Sequence, residues 1–341
     1  MGKASIQAVA RKAGVSVSTV SRTFAKPDLV QPDTRNRVLA AAELLDYRVS
    51  RSAAALKSGQ TLRVALLASE RISTWFNANV FAGLDSALRP AGYDIAPFPM
   101  SNADDRQRFF EDLPVRRNAD AVIVSSFNIE PDEVTRLKAM HVPVIGVNIP
   151  SPDGFDAGVS IDDRDASRRT AEHLIALGHR HIAFVGGTST RSGMRFSSEA
   201  RLQGIVDACE QHDDVSVMSL SVDRTSLDSN DALNAILTAG PKLTAVCFQD
   251  DELALPVLYR LRQYGRQVPQ DLSIIGFDDI ELAAQMGLTT IHQDPFAMGV
   301  LAAEKTLAAI GEDSMASPFE TPDTPLILRE TTAPPPTAHT V

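Results

Sequence analysis

A run of hydroxyl side chains beside one arginine carries the first chemical signal in this sequence. The hydroxyl residues are Ser16, Ser18, Thr19 and Ser21; Val17 lies among them and Arg22 follows directly. Hydroxyl groups donate hydrogen bonds to phosphate oxygens, and a guanidinium group can bind guanine through two parallel hydrogen bonds. The pattern therefore predicts a surface that reads DNA, and a solvated amphipathic helical hairpin is the alternative interpretation.

Two short helices joined by a tight turn would position that surface. Apolar residues from Ile6 to Ala10 repeat at the spacing of one buried helix face. Gly14 suits the left-handed residue that ends a helix, because glycine adopts a positive φ without a Cβ clash. Ser16 can then cap a second helix over residues 17–24. The segment predicts a helix-turn-helix.

A third helix would complete a small head domain over residues 1–49. Pro32 suits its first turn, where a missing backbone N–H costs nothing, and the helix should end near residue 46. Its inward side chains, at helical spacing, should be Val38, Leu39, Ala42 and Leu45. Residues 50–60 have no wide apolar face, so they predict a hinge linker that orders on binding, with a permanently flexible tether as the alternative interpretation.

The charge distribution supports DNA as the partner of the head. The whole chain has a formal net charge of −10, yet residues 1–60 hold ten basic and four acidic residues, a local charge of +6. The remainder of the chain therefore carries −16. A basic head on an acidic body is typical of a polyanion-binding module fused to a soluble domain.

Length and composition narrow the protein class. The 341 residues are enough for two or three domains, and they contain no apolar run that predicts a membrane span or a leader peptide. Two distant cysteines fit a reducing cytoplasm. Seven scattered histidines show no metal or nucleophile spacing, and no phosphate-loop motif is present. The sequence predicts a cytoplasmic protein that is not an enzyme and has no cofactor.

From residue 61 onward, apolar strand candidates alternate with amphipathic helices. The strand candidates are residues 62–68, 93–96, 121–124, 143–147, 181–187, 244–248 and 272–277. Continuous Val/Ile/Leu runs followed by helices mark parallel strands that are buried on both faces. The pattern predicts an all-α head followed by an α/β core of two doubly wound parallel-sheet subdomains, with ligands at the carboxyl ends of the strands.

An aromatic pair follows the first of these strands. Trp75 and Phe76 lie in a loop at a strand's carboxyl end, where an indole face can stack on a sugar ring or a planar base. The alternative interpretation is that Trp75 packs at the start of a helix.

Six motifs in order make the chain resemble the LacI/GalR family of transcription regulators. They are VARKAGVSVSTVSR, TRNRVLAAAELLDY, AEHLIALGHRHIAFVGG, RLQG, LSIIGFDD and LTTIHQD. The resemblance implies a ligand-responsive regulator, most simply a repressor of carbohydrate genes, that binds a pseudo-palindromic operator as a homodimer. It also implies a core similar to periplasmic sugar-binding proteins.

The resemblance implies the domain limits. The hinge would be residues 50–60 and the core residues 61–332, followed by a disordered tail over 333–341. The N-subdomain would hold about 61–161 and 292–321, and the C-subdomain about 162–291 and 322–332.

The resemblance also assigns DNA contacts. The positions that match base-reading residues are Val17, Ser18 and Arg22, with Leu56 as the hinge wedge in the minor groove. The positions that match phosphate contacts are Ser5, Ser16, Thr19, Ser21 and Thr34. The hinge departs from the family pattern, since Val49, Ser50 and Ala54 replace its usual proline, asparagine and arginine.

Effector contacts follow from the same resemblance. The implied residues are Trp75, Phe76, Phe127, Asp165, Arg201, Arg224, Asp250, Asp278 and Gln293. Acids and an arginine around an aromatic platform favour a neutral sugar, while Arg191, Arg195 and Arg224 leave an anionic metabolite or a purine as the alternative effector. Helix capping is the alternative role for Asp250 and Asp278. A solute-binding protein without a regulatory role is the competing class.

Overall fold

The computed structural model describes residues 4–25, 27–47, 60–69, 71–100, 103–116, 119–139, 141–187, 196, 198–222 and 230–336. The chain divides into two compact units, residues 1–62 and residues 63–341. Several predicted positions lie outside the described residues: Val49, Ser50, Ala54 and Leu56 of the hinge, and Arg191, Arg195 and Arg224 of the core.

The first unit contains the three predicted helices of the head. They are α1 (Ile6–Ala13), α2 (Val17–Ala25) and α3 (Pro32–Leu44), with a 3-10 turn at Pro27–Leu29. The small core consists of Val9, Ala10, Ala13, Val20, Val38, Ala41 and Ala42. The expectation that Leu39 points inward was wrong, because Leu39 is 44% exposed and Ala41 is buried instead. One residue after Val38, Leu39 lies about 100° round the helix from the buried face.

The second unit begins with a six-stranded parallel sheet, sheet 1, in the order β11-β5-β4-β3-β1-β2. Its strands are β1 (Arg63–Ala68), β2 (Asp94–Pro99), β3 (Ala121–Ser125), β4 (Val144–Val147), β5 (Ala157–Val159) and β11 (Phe319–Glu320). The connecting helices are α4 (Trp75–Leu88), α5 (Ala103–Arg116) and α6 (Pro131–Ala139). The residues of β3 and β4 are all buried, as expected for strands covered on both faces.

Sheet 2 has the order β12-β10-β9-β8-β6-β7 and is parallel except for β12. Its strands are β6 (His181–Gly187), β7 (Ser216–Val222), β8 (Ala245–Phe248), β9 (Ser273–Asp278), β10 (Thr289–His292) and β12 (Leu326–Ile327). Its helices are α7 (Asp163–Leu177), α8 (Glu199–Cys209), α9 (Asn230–Thr238), α10 (Asp251–Gln263) and α11 (Glu281–Gln285).

The chain passes between the two sheets three times. It leaves sheet 1 after β5 to form α7, and it returns after β10 to form α12 (Pro295–Ile310), which packs on α4, β4 and β5. It crosses again between β11 and β12. The predicted fold class, a helical head followed along the chain by two doubly wound sheets, is confirmed.

Some elements of the core have no counterpart among the strand candidates. The seven-residue strand β7 mixes serines with apolar residues, because it lies at the edge of sheet 2 and most of its side chains reach solvent. The strands β5, β11 and β12 have only two or three residues. Among the described residues, no helix has the length and apolar character needed to cross a membrane.

Candidate functional site

The head presents hydroxyl groups at the start of α2. Ser16 Oγ accepts a hydrogen bond from the backbone N of Thr19 at 3.1 Å, so Ser16 caps α2 as predicted. The same oxygen lies 2.7 Å from Ser18 Oγ and 2.8 Å from Thr19 Oγ1. Gly14, with φ of 65°, ends α1 in the left-handed conformation. The turn therefore gathers three hydroxyls at one helix N-terminus, where backbone N–H groups also favour an anion.

The remaining candidate DNA contacts of the head differ in exposure. Val17 is 41% exposed, and Ser18 and Arg22 are exposed. Thr19, Ser21 and Thr34 are half-buried; the exposed Ser5 caps α1, accepting from the backbone N of Ala8 at 3.3 Å. Within the described part of the chain, no hydrogen bond or ion pair occupies the Arg22 guanidinium.

In the core, four polar side chains form a buried cluster at the carboxyl end of sheet 2. This group, the Arg201 cluster, consists of Asp163, Arg201, Asp278 and Gln293, each less than 7% exposed. Asp163 lies at the start of α7, Arg201 in the first turn of α8, Asp278 at the end of β9, and Gln293 directly after β10. Residues far apart in sequence meet because parallel strands end at the same edge.

Arg201 is the centre of the cluster. Its Nε donates to Asp163 Oδ1 at 2.7 Å, its Nη1 donates to the backbone oxygen of Gln249, and Nη1 lies 3.7 Å from Asp278 Oδ1. The guanidinium carbon lies 3.5 Å from the centroid of the Phe277 ring. These contacts fix the guanidinium plane, so the geometry of the cluster is set before any ligand arrives.

The acids of the cluster are held in an environment that disfavours charge. Burial raises the pKa of Asp163, against the opposing effect of Arg201. Burial raises the pKa of Asp278 well above its ordinary value, Arg201 opposes the shift, and the nearby Asp250 and Asp251 add to it. A partner that brings hydrogen-bond donors would stabilise the charged carboxylates.

One acceptor in the cluster is left without a donor. Gln293 Nε2 donates to Asp278 Oδ1 at 2.5 Å, but the buried Gln293 Oε1 has no hydrogen-bond partner in the described part of the protein. A buried unpaired acceptor costs free energy, and such exceptions in native structures mark positions that a ligand or water completes.

Two other predicted effector residues bind partners outside the cluster. Asp165 Oδ atoms pair with Arg168 at 2.5 Å and with Arg169 at 3.0 Å, and the Asp165 side chain is 42% exposed. Asp250 is buried and caps α10, accepting from the backbone N of Leu253 at 2.9 Å, as the capping interpretation expects. For Asp278 the structure shows no such cap.

The predicted aromatic residues belong to sheet 1. The expectation that Trp75 and Phe76 lie in a loop was wrong, because both are half-buried in the first turn of α4, which follows β1. Phe127 follows β3, is fully buried, and forms an isolated backbone bridge with Phe196. The Arg106 guanidinium carbon lies 5.6 Å from the Phe127 ring centroid. The carboxyl ends of both sheets therefore contribute predicted residues.

Sequence reasoning missed Asp163 and chose its neighbour Asp165. A usable signal was present, because Asp163, Ala166, Ser167 and Thr170 repeat at helical spacing and are all buried on one face of α7. The described residues include no group of three or more His, Cys, Asp or Glu side chains that could hold a metal ion.

Comparisons with known proteins agree with both parts of this description. Residues 5–50 match the family described as bacterial regulatory proteins, lacI family, and residues 171–332 match the periplasmic binding protein-like domain. Catabolite control protein A of Priestia megaterium is 31% identical over 302 residues, which cover 86% of this chain and 89% of the relative. The chain belongs to the LacI family. This LacI-family member is a ligand-responsive, DNA-binding transcriptional regulator.

Solved structures share the fold of this LacI-family regulator. The lac repressor dimer bound to operator and the anti-inducer ONPF matches with a TM-score of 0.82 at 23% identity, over 97% of this chain and 100% of that chain. The transcriptional regulator CelR in complex with cellobiose matches with a TM-score of 0.67 at 26% identity, over 96% and 99%.

Proposed function

We propose that this LacI-family protein is a cytoplasmic, nucleoid-associated repressor of carbohydrate genes. It binds a pseudo-palindromic operator as a homodimer, with one head in each half-site, and a sugar bound in the core changes its affinity for that operator. The proposal divides the chain into a head of residues 1–49, a hinge of 50–60 and an effector-binding core of 61–332.

The exposed face of α2 supports the DNA-reading role. Arg22 can bind guanine through two hydrogen bonds, which discriminates against the wrong base by about 1–3 kcal/mol. The exposed methyl groups of Val17 suit contact with a thymine methyl. The hydroxyls of Ser16, Ser18 and Thr19, already gathered within hydrogen-bond distance of one another, suit phosphate contacts that fix the register.

The effector site rests on one observation, the unpaired Gln293 Oε1. This oxygen accepts hydrogen bonds and is buried beside the Asp278 carboxylate, so the ligand must present a donor there. A sugar hydroxyl can donate to this acceptor and accept from Arg201 at the same time. The half-buried Trp75 would supply the apolar face on which a sugar ring stacks.

The described part of the site favours a neutral ligand over an anion. At the carboxyl end of sheet 2, three buried acids, Asp163, Asp250 and Asp278, lie around the buried Arg201. The other buried arginine near a predicted effector residue, Arg106 beside Phe127, is already paired with Glu133. An anionic ligand would add negative charge to this environment, which is unfavourable where the dielectric constant is low. The alternative of an anionic metabolite or a purine rests on the arginines outside the described residues, and the thermal-shift screen described below tests it.

Effector and operator binding would be linked through the two subdomains. Coupling free energies of this kind are about 1–3 kcal/mol and are reciprocal, so a ligand that weakens DNA binding is itself bound more weakly on DNA. Induction and co-repression use the same scaffold and differ only in the sign of this coupling.

A thermal-shift screen of the full chain tests the effector assignment. The panel contains cellobiose, D-ribose and D-galactose, with sugar phosphates and purines as the anionic and planar alternatives. A ligand present at a hundred times its dissociation constant adds roughly 2.7 kcal/mol to the free energy of unfolding, which is a readily measured shift in Tm. A response to neutral sugars supports the proposal, and a response only to phosphorylated compounds contradicts it.

Two variants assign that response to the cluster. Asp278→Ala and Arg201→Ala should each abolish the ligand-induced shift, whereas the matched control Asp165→Ala should retain it, because Asp165 is paired with arginines at the surface. Loss of the response in Asp165→Ala with retention in Asp278→Ala would place the ligand outside the Arg201 cluster.

A further inference from the structure

The turn that carries Asp278 has an unusual backbone. Asp278 has a φ of 116° and Asp279 a φ of 57°, so two consecutive residues with a Cβ adopt left-handed conformations. Such conformations cost free energy and persist only where the surrounding structure holds them. The orientation of the Asp278 carboxylate towards Arg201 and Gln293 therefore depends on the groups that hold this turn.

Asp251 holds the turn from inside the protein. It is fully buried at the start of α10, and its Oδ2 accepts a hydrogen bond from the backbone N of Ile280 at 3.1 Å. Its Oδ1 accepts from Thr290 Oγ1 of β10 at 2.8 Å. One carboxylate thus joins Ile280, the last residue of the turn, to β10, the strand that directly precedes Gln293.

The local packing leaves room for this carboxylate and for little else. A Cβ added at Gly276 of β9 would lie 1.9 Å from Asp251 Oδ1, so glycine is required beside the carboxylate. The pKa of Asp251 is raised to about 7, chiefly by burial and also by the nearby Asp250 and Asp279, while its hydrogen bonds with Thr290 and Ile280 oppose the shift. Burying a carboxyl group costs free energy, so a residue that only filled space at this position would not need to be an acid.

The other side of the turn is held from outside by Asp279. Its Oδ1 accepts from Arg329 Nη2 at 2.6 Å, and its Oδ2 lies 3.1 Å from His292 Nδ1. The Asp279 side chain and the Ile280 backbone N–H both have hydrogen-bond partners elsewhere. The Asp278 side chain is the part of the turn that contacts Arg201 and Gln293.

We propose that Asp251 is a positioning residue of the effector site, which fixes the turn at residues 278–280 so that the Asp278 carboxylate faces Arg201 and Gln293. The inference rests on the proposed function in one respect, that Asp278 binds the effector. It adds a residue that does not touch the ligand and acts through Asp278.

Hydrogen–deuterium exchange of the full chain without ligand tests the proposal. Asp251→Leu removes both acceptor oxygens with a side chain of similar size, so the backbone N–H of Ile280 loses the hydrogen bond to the Asp251 carboxylate. The backbone amides of residues 278–281 should exchange about tenfold faster than in the parent chain, the size expected for one hydrogen bond to a charged group. Unchanged exchange there would overturn the proposal.

Thr331→Val provides a matched control for loss of stability alone. Thr331 is also fully buried beside β9 and β10, where its Oγ1 donates to the backbone oxygen of Ile274 at 2.7 Å and accepts from the backbone N of Thr289 at 2.9 Å. This variant should leave residues 278–281 protected. If the amides of residues 278–281 exchange as fast in Thr331→Val as in the Asp251 variant, Asp251 has only a general structural role and the proposal is overturned.

Thr290→Val keeps the proposal testable if Asp251→Leu does not fold. It removes only the Thr290 hydroxyl donor and retains the acid, so it should loosen the same amides to a smaller extent. A crystal structure of either variant should show the hydrogen bond between Gln293 Nε2 and Asp278 Oδ1 broken; an intact bond would contradict positioning through Asp278. Because these measurements need no ligand, a failed sugar screen leaves their result unaffected.

Discussion

Replacing Arg201 by methionine should destabilise the core by an amount that depends on pH. Arg201 is 6% exposed and is the cation for the buried Asp163 and Asp278. Removing one partner of a buried ion pair costs about 3–5 kcal/mol, because the remaining charge has no compensation. That loss is a large share of a total stability of about 5–15 kcal/mol.

The pH dependence follows from the two carboxylates. The pKa of Asp163 and of Asp278 is raised by burial, and Arg201 opposes both shifts. Without Arg201, both pKa values rise further, so the folded variant binds protons that the unfolded chain binds only at lower pH. Its free energy of unfolding should therefore increase, relative to the parent chain, as the pH falls from 7.5 towards 5.5.

Urea unfolding monitored by tryptophan fluorescence measures this effect. Trp75 is the single tryptophan and reports on the core. Arg89→Met is the control, since it removes an arginine that pairs with Asp85 at 2.7 Å on the surface, where little change is expected. If Arg201→Met and Arg89→Met unfold alike, or if the deficit of Arg201→Met does not shrink at acidic pH, the description of a buried, arginine-dependent cluster is refuted.

Three further predictions concern other parts of the chain. Arg22→Ala should abolish the preference for operator over random DNA in fluorescence anisotropy, while a ligand-induced thermal shift persists. Gly204→Ala should cost about 1–3 kcal/mol in urea unfolding, because the added Cβ would lie 2.0 Å from the backbone oxygen of Arg164. His179 is buried and its pKa is lowered by burial, so the unfolded chain binds the proton first and stability should fall as the pH drops below about 6.5; His179→Gln should remove this part of the pH dependence.

Much of the fold followed from local patterns. The apolar runs around Val64 and Ile123 are long, continuous and buried on both faces, so they identify central parallel strands without any long-range information. The edge strand β7 is half exposed, and serines interrupt its apolar residues. It therefore lacks the continuous apolar run that identified the central strands, because its composition reflects its place at the edge of the sheet.

The site was predictable only in part. Arg201, Asp278 and Gln293 were implied by family motifs, and the structure brings these three together. Asp163 was missed, because the choice between two nearby acids depends on the phase of α7 against its neighbours. The role of Asp251 depends on positive φ values and on a hydrogen bond to Ile280, and neither has a signature in one sequence.

Gln293, a residue of the proposed effector site, lies on one of the connections between the two sheets. It lies between β10 of sheet 2 and α12, which packs on sheet 1, so its position is part of one of the three crossovers. Its Nε2 is bound to Asp278, while its Oε1 has no donor in the described protein. A ligand that supplies this donor stabilises the position of the crossover in which that hydrogen bond forms. It can shift the equilibrium between two positions of the crossover only by the difference between its binding free energies for them. Gln293→Leu should therefore reduce the coupling between ligand and operator by more than it reduces ligand affinity, whereas a proportional loss of both would show that Gln293 only binds.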